Sequence, residues 1–306
     1  HPIGGTAIPA GKNTFVGLNS GNFTMGSTAT TSSQGSYNSA FGNEVLFSNT
    51  TGSGNTANGY QALFSNTTGS GNTAIGHQAL YAHTMGDYNT AIGQQTLYAN
   101  TTGAGNTANG RSVLFSNTTG NNNTANGSIA LYSNTTGSNN TANGMGALFS
   151  NTTGDVNTAN GGGALRNNTT GNDNVASGAD ALFSNTTGIG NTANGMGALF
   201  SNTTGIYNAA FGKNAGYGDG TTVDQQSVID NYATFLGYQA SRDASVLNTT
   251  PLTNITAIGK NARVGASNTI VLGGTGADAV NVGIGTASPS EKLEVNGNIK
   301  ATAFLY

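Results

Sequence analysis

The chain has 306 residues, of which only 7% are charged and 35% hydrophobic, with a formal net charge of −3. An ordinary globular protein carries roughly 25% charged residues, and a nucleic-acid partner calls for a basic stripe that this balance lacks. Cysteine and tryptophan are absent. That excludes disulfides, thiol catalysis and cysteine-held zinc, and no run of eighteen apolar residues suits a membrane-spanning helix.

Four regions follow one another along the chain. Residues 1–37 are irregular, and the chain begins at His1, as a processed product would. Gly11 to Gly26 holds two degenerate units, N-T-F-V-G and N-F-T-M-G. A polar stretch, S-T-A-T-T-S-S-Q-G-S-Y-N, reads as a loop inserted before the first full repeat.

Residues 38–212 repeat with a period of 17. Asn recurs from Asn38 to Asn208, Ala from Ala40 to Ala210, Leu from Leu46 to Leu199 and Gly from Gly52 to Gly205, each at that spacing. The idealised unit is N-T-A-(N/I)-G-x-x-A-L-(F/Y)-S-N-T-T-G-x-x. Two Gly and several Asn and Thr per unit oppose helix, and a period this strict opposes disorder. The expected fold is all-β, a parallel β-solenoid or β-roll with one coil per repeat. Two short strands per coil are expected, around N-T-A-x and A-L-F-S, with Gly and Asn at the corners supplying positive φ. Stacked at about 4.8 Å, identical positions become ladders. Asn55, Asn72, Asn89, Asn106, Asn123 and Asn140 are expected to hydrogen-bond to their like neighbours. The pairs Leu63-Phe64, Leu80-Tyr81, Leu97-Tyr98, Leu114-Phe115 and Leu131-Tyr132 are candidates for the core and for contact between chains. A column of aromatics left in water is unfavourable, so self-association is expected.

Residues 213–274 open with an insertion, Tyr217 to Tyr232, and return to unit-like segments, A-T-F-L-G-Y-Q-A-S and I-T-A-I-G-K-N-A-R-V-G-A-S-N-T-I-V-L-G-G. Residues 275–306 alternate apolar and polar and carry more charge. They read as short strands, with Asn296 to Asn298 as a hairpin turn.

The motifs N-T-A-I-G, N-T-A-N-G and T-A-I-G-K-N-A-R-V-G-A-S-N-T-I-V-L-G resemble the head repeats of YadA-like trimeric autotransporter adhesins. The segment V-G-I-G-T-A-S-P-S-E-K-L-E-V-N-G-N-I-K-A-T-A-F resembles the stretch before the self-cleaving intramolecular chaperone of phage-type tail fibres. The resemblance covers Asn13 to Tyr306. It implies a left-handed β-roll, a homotrimer, a trimerisation role for residues 275–306, and a place outside the cell, on a cell surface or virion fibre. The repeat here is longer than the usual head repeat, and Asn replaces Ile in most coils.

Candidate sites are sparse. The nine N-T-T sequons, from Asn49 to Asn202, read as the turn of the repeat. His77, His83 and Asp87 share one coil but assemble no catalytic triad. Asp219 and Asp224 offer oxygens to a calcium ion, yet lack a full ligand set and read as a polar loop. No cofactor, metal or catalytic residue is assigned. The variable corner residues are the expected outward positions, and Tyr60, Gln61, His77, Tyr88, Arg111, Asp155 and Tyr207 are the candidates for surface recognition of a glycan or receptor. The expected function is structural and adhesive, as a rod that could stack head to tail into a filament. The alternatives are a polysaccharide-binding or depolymerising tail-spike protein and an ice- or lattice-binding protein.

Overall fold

A computed structural model describes residues 12–21, 34–217, 230–243 and 251–299. The first strands are β1 (Thr14–Val16), β2 (Ser39–Phe41), β3 (Thr56–Asn58), β4 (Thr73–Ile75), β5 (Thr90–Ile92) and β6 (Thr107–Asn109). The array continues with β7 (Thr124–Asn126), β8 (Thr141–Asn143), β9 (Thr158–Asn160), β10 (Val175–Ser177), β11 (Thr192–Asn194) and β12 (Ala209–Phe211). The last are β13 (Thr234–Leu236), β14 (Ser241–Arg242), β15 (Ile255–Ile258), β16 (Arg263–Val264), β17 (Thr269–Leu272), β18 (Val282–Ile284) and β19 (Leu293–Val295). Fifteen of them, β1 to β13 with β15 and β17, form one parallel sheet in chain order. The chain is a parallel β-solenoid, one coil per repeat.

Register follows the sequence period. Thr56 pairs with Thr73, Ala57 with Ala74 and Asn58 with Ile75, and the same offset of 17 holds from β2 to β12. It widens to 25 residues between β1 and β2 and between β12 and β13. The expected insertions therefore leave the stack without disturbing its register. The Asp219 and Asp224 candidates lie outside the described residues.

Strands β1 to β13 are each three residues long and alternate out, in, out. The middle Ala of β2 to β12 is fully buried. The Gly that follows has a φ only glycine adopts freely, +132° at Gly59. A Cβ at Gly59 would lie 2.5 Å from the carbonyl oxygen of Gly76 in the next coil. The Gly column is therefore fixed both by φ and by the approach of neighbouring backbones.

The second expected strand does not form. From Tyr60 to Ser65 the chain runs through successive turns, with Gln61 at φ +55° and Leu63 at φ +52°. The physical reason lies in the side chains: Ala62 and Leu63 are adjacent and both fully buried, whereas a strand points neighbours to opposite faces. Leu is held in the left-handed region in every coil from Leu46 to Leu199. That conformation costs a bulky residue of order 1–3 kcal/mol, offset by burial of the side chain, worth about 1.5–3 kcal/mol. Turn backbone is still paired: Leu63 donates to the Ala79 carbonyl at 3.0 Å, and Ser65 to that of Tyr81 at 3.1 Å.

The end coils exchange volumes. Phe15 replaces Ala in β1, and Gly21 stands where Leu belongs; a Cβ at Gly21 would meet the Phe15 ring at 2.8 Å. Phe235 does the same in β13, with Gly216 and Ser241 at the Leu positions beside it. One large and one small residue thus fill the space of Ala plus Leu.

The C-terminal strands form, but not as a hairpin. Strands β18 and β19 pair in parallel, Val282 with Leu293 and Ile284 with Val295. Residues 285–292 carry the chain back across the coil before β19 begins, so the segment keeps the logic of the roll. Asn296 to Asn298 follow the pair rather than joining it.

Candidate functional site

Two buried Asn columns form the polar half of the core. In the first, each backbone N–H donates to the side-chain oxygen of the Asn one coil earlier: Asn55 to Asn38 Oδ1 at 2.9 Å, Asn72 to Asn55 at 2.9 Å, Asn89 to Asn72 at 2.8 Å, Asn106 to Asn89 and Asn123 to Asn106 at 3.0 Å, and Asn140 to Asn123 at 3.0 Å. Each Nδ2 also reaches across its own coil to a Gly carbonyl, as Asn55 does to Gly69 at 2.9 Å. The expected ladder therefore exists, with the backbone N–H as its main donor.

The second column is the Asn of N-T-T. Asn117 Nδ2 donates to Asn100 Oδ1 at 2.7 Å and to the Gly120 carbonyl at 3.0 Å, and Asn134 repeats the pattern. Asn49, Asn66, Asn100 and their equivalents are buried. The folded roll has no room for a glycan on these side chains, so the sequons are the turn of the repeat. The Gly between the columns is fixed by space: a Cβ at Gly69 would lie 2.5 Å from Asn66 Oδ1.

His83 interrupts the second column. Its Nε2–H donates to the Gly86 carbonyl at 2.7 Å, and Nδ1 accepts from Asn100 Nδ2 at 3.0 Å. The second contact requires the neutral ring, since a protonated Nδ1 cannot accept. Burial lowers its pKa from the ordinary value, against the pull of the Gly86 carbonyl, the Asn100 backbone and the Asp87 charge. The ring offers no donor to the coil before it, and Asn66 Oδ1 is left buried without a partner. His83 is thus structural, and His77 stands apart from it on the surface.

Where the Asn columns end, charge replaces them. Ala233 donates its N–H to Asn208 Oδ1 at 2.9 Å. Asp230 Oδ1 accepts from Arg242 Nη1 at 2.9 Å and from the Leu252 N–H at 2.8 Å, and both charged side chains are buried. Burial pushes the Asp230 carboxyl up, opposed by the Leu252 N–H and the Arg242 charge.

Outside, the Leu and aromatic halves of the candidate contact column separate. Leu63, Leu80, Leu97, Leu114 and Leu131 are wholly buried within their own chain. Phe64, Tyr81, Tyr98, Phe115 and Tyr132 are half-buried and stack on one another with centroids 5.0–5.3 Å apart. The rings cover one another's faces and leave their edges to solvent. Arg166 takes one place in the column and lies 4.9 Å over the Phe149 ring.

The variable corner residues are less free than their variability implies. Gln61 and Tyr88 lie at φ +55° and +57°. Gln61 donates to Glu44 at 2.8 Å and Gln78 to Gln61 at 2.9 Å, forming a third amide ladder. Asp155 Oδ1 accepts the Ser138 N–H at 2.6 Å, and Asp87 and Asn121 cap Ser70 and Ala104 likewise. Where these positions hold Ser, Asp or Asn, the side chain ties itself to the neighbouring coil. Tyr60 and His77 stack at 5.5 Å on the exposed corner, in line with exposed Arg111. Tyr88 and Tyr207 are exposed on the other corner, so the seven recognition candidates form two rows rather than one site.

The strand face was not legible as a candidate. Its outward residues are mostly Thr in one row, with Ser39, Val175, Ala209 and Ile270 among them, and Asn, Ile, Phe, Leu, Val or Ser in the other. From Thr14 in β1 to Leu272 in β17 none is charged. The second row is apolar at both ends, with Val16, Phe41, Ile75 and Ile92 at one and Phe211, Leu236, Ile258 and Leu272 at the other, all exposed. Between them Asn126 donates to Asn143 at 2.8 Å and Asn143 to Asn160 at 2.9 Å.

Among the described residues, no three His, Cys, Asp or Glu side chains gather as a metal site would need. No helix among the described residues is long and apolar enough to cross a membrane. No family model matches the chain, and no curated protein matches it either.

Proposed function

We propose that this chain is an extracellular fibrous protein, structural and adhesive, of the tail-fibre or adhesin-head kind. It works as a homotrimer that presents its corner residues to a glycan or receptor, and trimers stack head to tail where a longer filament is built. The observation that carries this reading is the uncharged strand face. A solvated surface normally carries about 25–35% charged residues, and depletion of charge marks the centre of protein interfaces. The aromatic column has already covered its ring faces within one chain. The strand face therefore has more to gain from a partner, and it is the contact assigned to the trimer. Exposed Tyr60, His77 and Arg111 remain for recognition.

Light scattering tests the reading: the expected mass is three times the 30.5 kDa of the chain. Asn126→Lys with Asn143→Lys, placed mid-face, should dissociate the trimer while leaving the circular dichroism of the roll unchanged. A monomer at micromolar concentration overturns it. The regular Thr rows also favour a second reading, binding to ice or another lattice. Protruding Phe41, Phe211 and Leu236 break the flatness that lattice matching needs, and absence of thermal hysteresis removes that reading.

A further inference from the structure

Asn followed by Gly is the dipeptide most prone to lose its side-chain amide, because an unhindered Gly nitrogen can attack the Asn carbonyl carbon. Seven such pairs occur, at Asn58, Asn109, Asn126, Asn143, Asn160, Asn194 and Asn296. The fold treats six of them alike. In each, the Gly N–H donates to a carbonyl of the preceding coil: Gly59 to Phe41 at 2.9 Å, Gly110 to Ile92 at 2.8 Å, Gly127 to Asn109 at 2.9 Å, Gly144 to Asn126, Gly161 to Asn143 and Gly195 to Ser177 at 2.8 Å. The attacking nitrogen is thus engaged, and each Asn ends a strand, whose extended ψ keeps the side-chain carbon away from that nitrogen.

Asn296 differs in both respects. It lies past the end of β19, with one side-chain contact, Nδ2 to the Gly285 carbonyl at 3.3 Å, and among the described residues the Gly297 N–H has no partner. A Cβ built on Gly297 would meet nothing within 4 Å. We infer that Asn296 is a site of spontaneous covalent modification with water as the reagent, and that the roll shields its six other Asn-Gly pairs. The Gly297 nitrogen loses its proton and bonds to Asn296 Cγ, ammonia leaves, and a succinimide forms. Water then opens either ring carbonyl to give aspartate or isoaspartate. No oxidant or reductant is involved.

The product carries a new carboxylate two residues from Glu294. In isoaspartate the backbone gains a methylene on the far side of Cα from the residue 296 N–H, which donates to the Ile284 carbonyl at 2.8 Å and closes the β18–β19 pair. The rod is chemically durable along its length and ages at its C-terminal strand pair.

The test is incubation of the full chain at mildly alkaline pH, native and in denaturant, followed by digestion and mass spectrometry of each Asn-Gly peptide. The expected native result is conversion of Asn296, with the six array sites slower by more than roughly tenfold, since opening a coil must break several paired groups at once. In denaturant all seven should convert at similar rates. Native conversion of the array sites as fast as Asn296, or native protection of Asn296 equal to theirs, overturns the inference.

Discussion

Replacing Asn123 by Ala isolates what the inner ladder contributes. The side chain makes three hydrogen bonds: Nδ2 to Asn106 Oδ1 at 3.1 Å, Nδ2 to the Gly137 carbonyl at 2.9 Å, and Oδ1 from the Asn140 N–H at 3.0 Å. Two of the three partners keep another bond. Gly137 still accepts from Asn134 at 2.9 Å, and Asn106 Oδ1 still accepts from the backbone of residue 123 at 3.0 Å. Those two losses cost about 0.5–1.5 kcal/mol each. The Asn140 N–H is different, because it is left buried with no acceptor, which costs about 1–3 kcal/mol. The total is about 2–6 kcal/mol, against less than about 0.5 kcal/mol for Asn109→Ala on the exposed strand face. Stacked repeats unfold region by region rather than as one unit, so a single melting temperature is a poor readout. Hydrogen exchange followed by mass spectrometry, coil by coil, reads the local cost. Protection should fall in the coils of Asn106, Asn123 and Asn140 and recover in distant coils. A local loss below about 1 kcal/mol would refute the idea that the amide ladder, and not only the Ala and Leu columns, holds the coils together.

Other consequences follow from single positions. His83→Asn supplies the donor that Asn66 Oδ1 lacks and should raise local stability by about 1–2 kcal/mol, measured by the same exchange. His83 titrates in the folded roll below its ordinary value of 6.5, so the unfolded chain binds its proton first as pH falls. Wild-type stability should therefore hold above about pH 6.5 and decline as pH drops from there toward the folded value, and His83→Asn should remove that decline. Gly76→Ala places a Cβ 2.5 Å from the Gly93 carbonyl oxygen at φ +135° and should destabilise its coils by about 3 kcal/mol or more. Gly54→Asn, at φ +67° with its nearest neighbour at 4.0 Å, should be tolerated, and thermal scans of the pair check the contrast. Asp230→Ala removes the buried carboxylate that Arg242 and the Leu252 N–H share and should destabilise that coil, seen as early exchange of residues 230–243.

Much of the fold follows from periodicity. A 17-residue spacing that never slips fixes the coil, the parallel register and the ladder columns, because only stacking puts every seventeenth residue in contact. The Leu column and the Ala, Val or Thr before each Leu also held a signal against a second strand, since a strand cannot bury both neighbours. The left-handed Leu was beyond sequence reasoning: Gly and Asn announce positive φ, Leu does not, and here its burial outweighs the strain. The same holds at the corners, where Gln61 and Asp155 look free in sequence yet hydrogen-bond to adjacent coils.

Composition determined that this chain could not fold as an ordinary globule, and the repeat determined what it folds as. The tertiary structure decided which polar residues are interior. An Asn in N-T-T and an Asn in T-A-N look equally solvated in sequence, but the first turns into the roll and the second out. That choice rests on the Gly carbonyl each coil leaves facing inward, an acceptor that exists only once the coil has closed.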